Sequence, residues 1–375
     1  MDRFYFDWAA TSIPDEAAAH SVPFGNPSSR HAEGKEARRV LENARKRCAK
    51  VLGVPEKHIF FTSGGTESNA LVLHASLMRP DSQGILLSSA EHPSIRENGA
   101  VLARLGKRVA WVSPEKDGRV SPQTLEKALK KAENPRLVSA AWVNNEIGSV
   151  SDIPELVRAA RGSGPVHFHC DMVQGIGKIP CRLSEWDLDS ASMSAHKLGG
   201  PRGAGILYLR KPLEPLYSGG GQESGIRPGT ENTAGAAAFA DALERHGSGG
   251  TVEEAFVLAR DRWKVLITEL SALSRFSAIP ADREPEDPRF SPYILQCAFE
   301  GIPGEVMARM LDDAGFAVST GSACSSASRK RPVLEAMGIP QAKALEGIRI
   351  SQGWTTGRKD IELLVSAIRT ILNKF

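Results

Sequence analysis

Between residues 59 and 209 short apolar runs alternate with segments of helical periodicity, and this rhythm constrains the fold more than any other feature of the chain. Runs at 59–62, 84–89, 109–113, 137–143, 166–171, 190–194 and 203–209 read as strands. A helix is predicted from about 66, and another from about 93 to 105. Such alternation predicts an α/β fold whose mainly parallel sheet is covered by helices on both faces. Ligands of such sheets bind beyond the carboxyl ends of the strands. The polar clusters of this chain fall there: after Thr62, after Ser89, at Asn144 and Asn145, at Asp171 and at Lys197.

The stretch His-Gly-Ser-Gly-Gly-Thr-Val at 246–252 is loop-like and marks a boundary. Beyond it a long helix is predicted at 253–273, strands at 294–299 and 347–351, and helices at 305–314 and 358–372. We expect a large domain over 13–250 and a smaller α+β domain over 251–375, with residues 1–12 packed on the smaller one.

The bulk numbers exclude several classes. Hydrophobic content of 41% and charged content of 24% over 375 residues are those of an ordinary globular protein. A net charge of +3 with no concentrated basic tract gives no support to direct nucleic-acid binding. No apolar run reaches the roughly 18 residues of a membrane span. The start, MDRFYFDWAAT, has no apolar core of signal-peptide type, and a cytoplasmic protein is expected. The five cysteines, Cys48, Cys170, Cys181, Cys297 and Cys324, form no Cys-x-x-Cys pair, so neither a disulfide framework nor a zinc site is expected.

Lys197 stands in Ser-Ala-His-Lys-Leu-Gly-Gly-Pro (194–201) and Cys324 in Gly-Ser-Ala-Cys-Ser-Ser (321–326). A deprotonated lysine can bind an aldehyde cofactor as a Schiff base, and a thiolate in a run of small residues can attack. Together they suggest pyridoxal 5'-phosphate (PLP) chemistry on a substrate that gives up an atom to a thiol. Ser63-Gly64-Gly65-Thr66 follows a strand and opens a helix, which suits a phosphate, although a plain strand-to-helix turn explains it as well. Asp171 ends an apolar strand and can pair with a pyridinium nitrogen or cap a helix. Gln174 lies three residues on and can donate to a ring oxygen. His92 can stack on a flat ring and exchange protons with the substrate as a catalytic residue, or sit exposed at a helix start. Asn144 and Asn145 at a strand end need hydrogen bonds if buried. Arg349, among apolar residues, wants an anionic partner: a substrate carboxylate or a structural ion pair.

These residues, in this order, resemble the cysteine desulfurases, PLP enzymes of fold type I and the class V aminotransferase group. The likeness runs through Asp-Trp-Ala-Ala-Thr (7–11), Phe-Gly-Asn-Pro-Ser-Ser (24–29), Thr-Ser-Gly-Gly-Thr-Glu-Ser (62–68), Glu-His-Pro-Ser (91–94), Asn-Asn-Glu-Ile-Gly (144–148), Asp171 with Gln174, Ser-Ala-His-Lys (194–197), Gly-Gly-Gly-Gln-Glu (219–223), Pro-Gly-Thr-Glu-Asn (228–232) and Gly-Ser-Ala-Cys-Ser-Ser. It implies a seven-stranded sheet and a homodimer. It implies that Lys197 holds PLP, Asp171 pairs with the ring nitrogen, Gln174 with the ring oxygen, and His92 stacks on the ring. Gly65, Thr66, Ser194 and His196 would hold the phosphate, with Thr230 reaching in from a second subunit. Asn26, Asn145 and Arg349 would hold the substrate, L-cysteine. Cys324 would take the sulfur as a persulfide, on a loop similar to that of group I, and pass it to an iron–sulfur scaffold or a tRNA-thiolation protein.

Three departures from the usual pattern stand out: Ser224 and Pro228 in the 219–232 loop, Gln352 in Arg-Ile-Ser-Gln-Gly (349–353), and a shortened 12–23 segment. A selenocysteine lyase or another class V PLP enzyme, and an inactive partner-binding homologue, are the competing readings.

Overall fold

The computed structural model describes residues 3–15, 23–79, 83–132, 135–321 and 330–375. Cys324 lies outside the described residues.

The chain opens with strand β1 (Phe4–Tyr5) and the long helix α1 (Ala32–Leu52). There follow β2 (Ile59–Thr62), α2 (Gly65–His74), β3 (Gly84–Ser88), α3 (Pro93–Arg104), β4 (Val109–Val112), α4 (Pro122–Lys131), β5 (Pro135–Ala141), α5 (Ile153–Gly162) and β6 (His167–Asp171). Then come β7 (Ser190–Ser194), β8 (Gly205–Leu209) and α6 (Thr233–Gly247). Strands β2 to β8 form the expected seven-stranded sheet, in the order β2-β8-β7-β6-β5-β3-β4. Neighbours from β7 through β4 run parallel, while β8 is antiparallel to both β7 and β2. The run expected at 137–143 ends as a strand at Ala141, because Val143 leaves the sheet to bridge Val150.

Helix α1 was not anticipated, because its buried face, Ala37, Leu41, Ala44, Cys48 and Leu52, is mostly small residues among many charges. Small side chains let it lie close along α6, whose buried face is itself rich in alanine. Its end at Gly53 is a left-handed cap with φ 67°, where the glycine N–H closes on Ala49 and Lys50.

The loop-like stretch at 246–252 separates α6 from α7 (Thr251–Ser271). After it come β9 (Phe276–Ala278), β10 (Ile294–Phe299), α8 (Gly304–Asp313), β11 (Phe316–Ala317), α9 (Pro332–Ala336), α10 (Gln341–Glu346), β12 (Gly347–Ser351) and α11 (Arg358–Leu372). Strands β12, β10 and β9 make an antiparallel sheet, and β1 pairs in parallel with β11. Phe6 joins Trp263, Leu295, Phe299, Ile350 and Leu364 in one apolar cluster, so the first strand is packed on C-terminal elements. The larger cluster lies under the seven-stranded sheet and holds Leu41, Phe168, Met193, Phe239 and Leu243. Burial of each such large side chain contributes about 1.5–3 kcal/mol. Among the described residues no helix is long and apolar enough to cross a membrane.

Candidate active site

A cavity of about 280 Å³ opens where the carboxyl ends of β5, β6 and β7 meet the first turns of α2 and α3. Gly65, Thr66, His92, Asn145, Asp171, Gln174, Ser194, His196, Lys197 and Arg349 all line it. These residues come from distant parts of the sequence; the parallel strands β5, β6 and β7 deliver their carboxyl ends to one side, and Arg349 reaches the cavity from β12.

The floor is the strand-to-helix turn at Ser63–Thr66. Gly64 has φ 151°, which an L side chain rarely adopts, and a β-carbon at Gly65 would sit 2.6 Å from Val173 Cγ2. Both glycines are therefore required by the turn. The first amides of a helix have no intrahelical partner, so those of Gly65 and Thr66 make an anion cradle beside Ser194.

Asp171 is buried at the end of β6. Its Oδ2 accepts from Asn69 Nδ2 at 2.7 Å and its Oδ1 from the Val173 amide at 3.0 Å. Lys197 Nζ donates to the carbonyls of Ala9 and Ala10, each at 2.6 Å. Gln174 Nε2 donates to the Ala9 carbonyl at 2.9 Å, and its Oε1 accepts from Lys178 Nζ at 3.3 Å. His92 caps α3 by accepting from the Ser94 amide, and burial pulls its pKa down. Burial and neighbouring Lys197 bring His196 down to about 4. Arg349 is buried and spans Asp7 Oδ1, the Asn145 carbonyl at 2.8 Å and the Gly321 carbonyl at 3.1 Å.

The adjacent asparagines divide their roles. Asn144 is buried and holds the turn: its Oδ1 accepts from the Glu146 and Ile147 amides, and its Nδ2 donates to the Ala90 carbonyl. Asn145 lines the cavity. Asn26 is exposed, with its side chain closing a turn onto the Ser28 amide, and Thr230 is exposed on the 219–232 loop. Neither is among the residues that line the cavity.

Three groups near the cavity were missed by reading the sequence. Asn69 is fully buried in the middle of α2, one turn beyond Thr66. Lys178 is buried, and desolvation, with Lys197 and Arg349 nearby, brings its ammonium down to about 7. Glu91 is fully buried, and desolvation beside Asp171 pushes its carboxyl well above the usual range. The available signal was an asparagine inside a helix, where it is disfavoured, and a lysine in an apolar run.

Residues 4–364 match the family model described as Aminotransferase class-V. The chain belongs to the class V aminotransferase family. Within that family it is 36% identical over 385 residues to "Cysteine desulfurase IscS" of Dictyoglomus turgidum, covering 99% of this chain and 94% of the relative. It is similar to the solved "NIFS-LIKE PROTEIN", with a TM-score of 0.90, 33% identity and full coverage of both chains. A second solved relative, "SspA in complex with cysteine", gives a TM-score of 0.78 at 29% identity, covering 92% of this chain and 98% of that one. The α/β architecture of this class V chain is thus that of the PLP fold type I proteins, and the family implies a PLP-dependent enzyme.

Proposed function

We propose that this chain is a cysteine desulfurase, which moves the sulfur of L-cysteine onto Cys324 and releases L-alanine. The observation that carries the reading is the convergence of Lys197 and Asp171 on one cavity whose floor is an anion cradle. PLP requires an amine for its aldehyde, a carboxylate for its pyridine nitrogen and a nest of donors for its phosphate. The residues present fit each requirement: Lys197, Asp171, and Gly65 and Thr66 with Ser194 and His196. Gln174 can offer its second Nε2 proton to the ring oxygen, since among the described residues one of the two goes to Ala9. His92 would stack on the ring, and in a homodimer the partner subunit's Thr230 would complete the phosphate site.

When bound, the cofactor supplies an electron sink for charge developing at the substrate α-carbon. Lys197, as the free amine, takes the α-proton. Arg349, with Asn145 and Asn26, holds the substrate carboxylate by charge-assisted hydrogen bonds. The Cys324 thiolate attacks the substrate sulfur; the S–S bond forms and the carbon–sulfur bond breaks, with its electron pair going to carbon. Protonation of that carbon completes alanine, and the persulfide on Cys324 passes to an acceptor in the cytoplasm, an iron–sulfur scaffold or a tRNA-thiolation protein. A large domain over 13–250 and a small one over 251–375 is the division this reading uses, supported by the separate apolar cluster around β10, β12, α7 and α11.

The test is alanine release from L-cysteine by purified protein with PLP and a thiol reductant, beside Cys324→Ala and with L-selenocysteine as a second substrate. Equal amounts of alanine and sulfide, both lost in Cys324→Ala, are expected. A yellow, PLP-loaded protein that makes no alanine from L-cysteine would overturn the reading, and turnover confined to L-selenocysteine would replace it with the lyase.

A further inference from the structure

We infer that Asn69 is a positioning residue that fixes, through one side-chain amide, both the Asp171 carboxylate and the Ser94 hydroxyl that faces His92. The inference rests on the PLP reading of the cavity, and deepens it.

Asn69 is fully buried, as is His169 on β6. The amide nitrogen of Asn69 donates to Asp171 Oδ2 at 2.7 Å and to Ser94 Oγ at 2.8 Å, which uses both of its protons. A carboxylate only accepts, so the nitrogen must face Asp171 and the amide oxygen must face the other way. There it meets His169 Nε2 at 2.9 Å. The amide oxygen only accepts, so His169 carries its proton on Nε2, which also has a longer contact of 3.4 Å to Ser192 Oγ. Burial brings the imidazole down to about 3, so His169 is neutral and its Nδ1 accepts from Ser190 Oγ at 2.8 Å. The single Ser190 hydroxyl proton is then committed, and His167 Nε2, at 2.7 Å, must donate to that oxygen. Every hydrogen bond in the series from His167 through Ser190, His169 and Asn69 therefore points its proton toward Asp171. Aligned donors of this kind strengthen one another in a low-dielectric interior.

The second branch runs to His92. Ser94 Oγ accepts from Asn69, and its own proton reaches His92 Nδ1 at 2.8 Å. The Ser94 amide donates to the same nitrogen at 3.1 Å. With two donors on Nδ1, the His92 proton sits on Nε2. One amide in the middle of α2 thus sets a carboxylate on β6 and turns the Ser94 hydroxyl toward the imidazole at the start of α3, beside the backbone donor. The same helix presents Thr66 to the cavity three residues earlier, so α2 serves both the phosphate end and the ring-nitrogen end of the cofactor. Helix propensity alone favours leucine over asparagine at such a position.

The test compares wild type with Asn69→Leu, a near-isostere without the amide, and with His169→Leu and His169→Gln. Two quantities are read besides turnover: PLP affinity of the apoprotein, and the solid-state 15N shift of 15N-labelled PLP, which reports ring-nitrogen protonation. Asn69→Leu is expected to bind PLP about tenfold more weakly, the loss of one hydrogen bond to a charged group. Its ring nitrogen shifts toward the unprotonated value. His169→Leu follows it, whereas His169→Gln, which keeps an N–H for the Asn69 oxygen, stays near wild type. Wild-type affinity and 15N shift in Asn69→Leu would overturn the inference. Should Asn69→Leu give no folded protein, the two His169 variants decide: identical behaviour in both overturns it. A wild-type protein that takes up no PLP at all would instead sink the cofactor reading on which it stands.

Discussion

Lys197 Nζ donates to the carbonyl oxygen of Ala9 at 2.6 Å, joining two residues 188 apart in the chain inside one cavity. The segment that supplies this carbonyl is clamped over the site: Tyr5 Oη donates to the Asp7 and Thr11 carbonyls, and Ser12 Oγ to the His196 carbonyl. The carbonyls of Ala9 and Ala10 accept from Lys197 Nζ, and the nitrogen must leave them to take up an aldehyde.

Lys197→Ala is therefore expected to fold normally, to lose the visible absorption of the PLP-loaded protein, and to lose at least about 10³-fold in alanine release. Absorption spectra and an alanine assay on the purified variant check it. Retained yellow colour bound as tightly as in wild type would assign the aldehyde to another amine.

Glu223 is the anchor of the 219–232 loop. Its side chain accepts from Arg45 at 2.7 and 2.8 Å and from the Phe61 amide at 2.8 Å, with its backbone in the left-handed region at φ 48°. Glu223→Ala leaves the buried Phe61 N–H unpaired and Arg45 with Glu42 and the Ile59 carbonyl alone, at a cost of about 1–3 kcal/mol. Urea unfolding should show this as a lower midpoint with an unchanged slope. A loss under 1 kcal/mol would mean that the pair is solvated.

Gln352, one of the departures from the usual pattern, is a fully buried and satisfied amide. It accepts from Arg262 Nε at 2.8 Å and donates to the Ala259 and Pro292 carbonyls at 2.8 and 2.6 Å, tying α7 to the turn before β10. Gln352→Leu should lower stability by about 1–3 kcal/mol, because each buried partner left unpaired carries a desolvation penalty. Calorimetry of the variant tests this, with PLP affinity expected to stay unchanged. An unchanged melting temperature would show that water replaces the amide.

Histidine burial predicts an acid-sensitive fold. His169 is held down at about 3, far below the ordinary value near 6.5 of an unfolded chain. Between these limits the unfolded state binds a proton that the folded state refuses, so stability is full above about pH 6.5 and falls as the pH drops. The slope for one such histidine is about 1.4 kcal/mol per pH unit. Unfolding free energies measured from pH 7 to pH 5 should therefore fall more steeply in wild type than in His169→Gln. Parallel curves would show that His169 protonates freely in the fold.

Much of the site was legible because its residues stand at breaks in periodicity. Thr62, Ala141, Asp171 and Ser194 end apolar strands or follow them, and a parallel sheet must gather such ends. Asn69 was illegible because its partners, Asp171, Ser94 and His169, lie up to 102 residues away and no local pattern announces them. Arg349 left two options open, and the fold supplies one of them, Asp7, from the far end of the chain. Helix α1 escaped notice because alanine, cysteine and aliphatic stems make a weak stripe, which becomes a packing face only when α6 lies against it.

The sequence by itself determined the layered α/β architecture, the strands of the large sheet and the order of the motifs that carry the chemistry. Backbone periodicity and turn chemistry are local, so they can be read from neighbouring residues. The tertiary structure alone decided which side chains touch: that the Ala9 and Ala10 carbonyls hold Lys197, that Asn69 stands between His169 and Asp171, and that Arg45 closes on Glu223. Those pairings depend on the register of distant strands and on burial, which raises the strength of a hydrogen bond and the penalty for leaving one unmade.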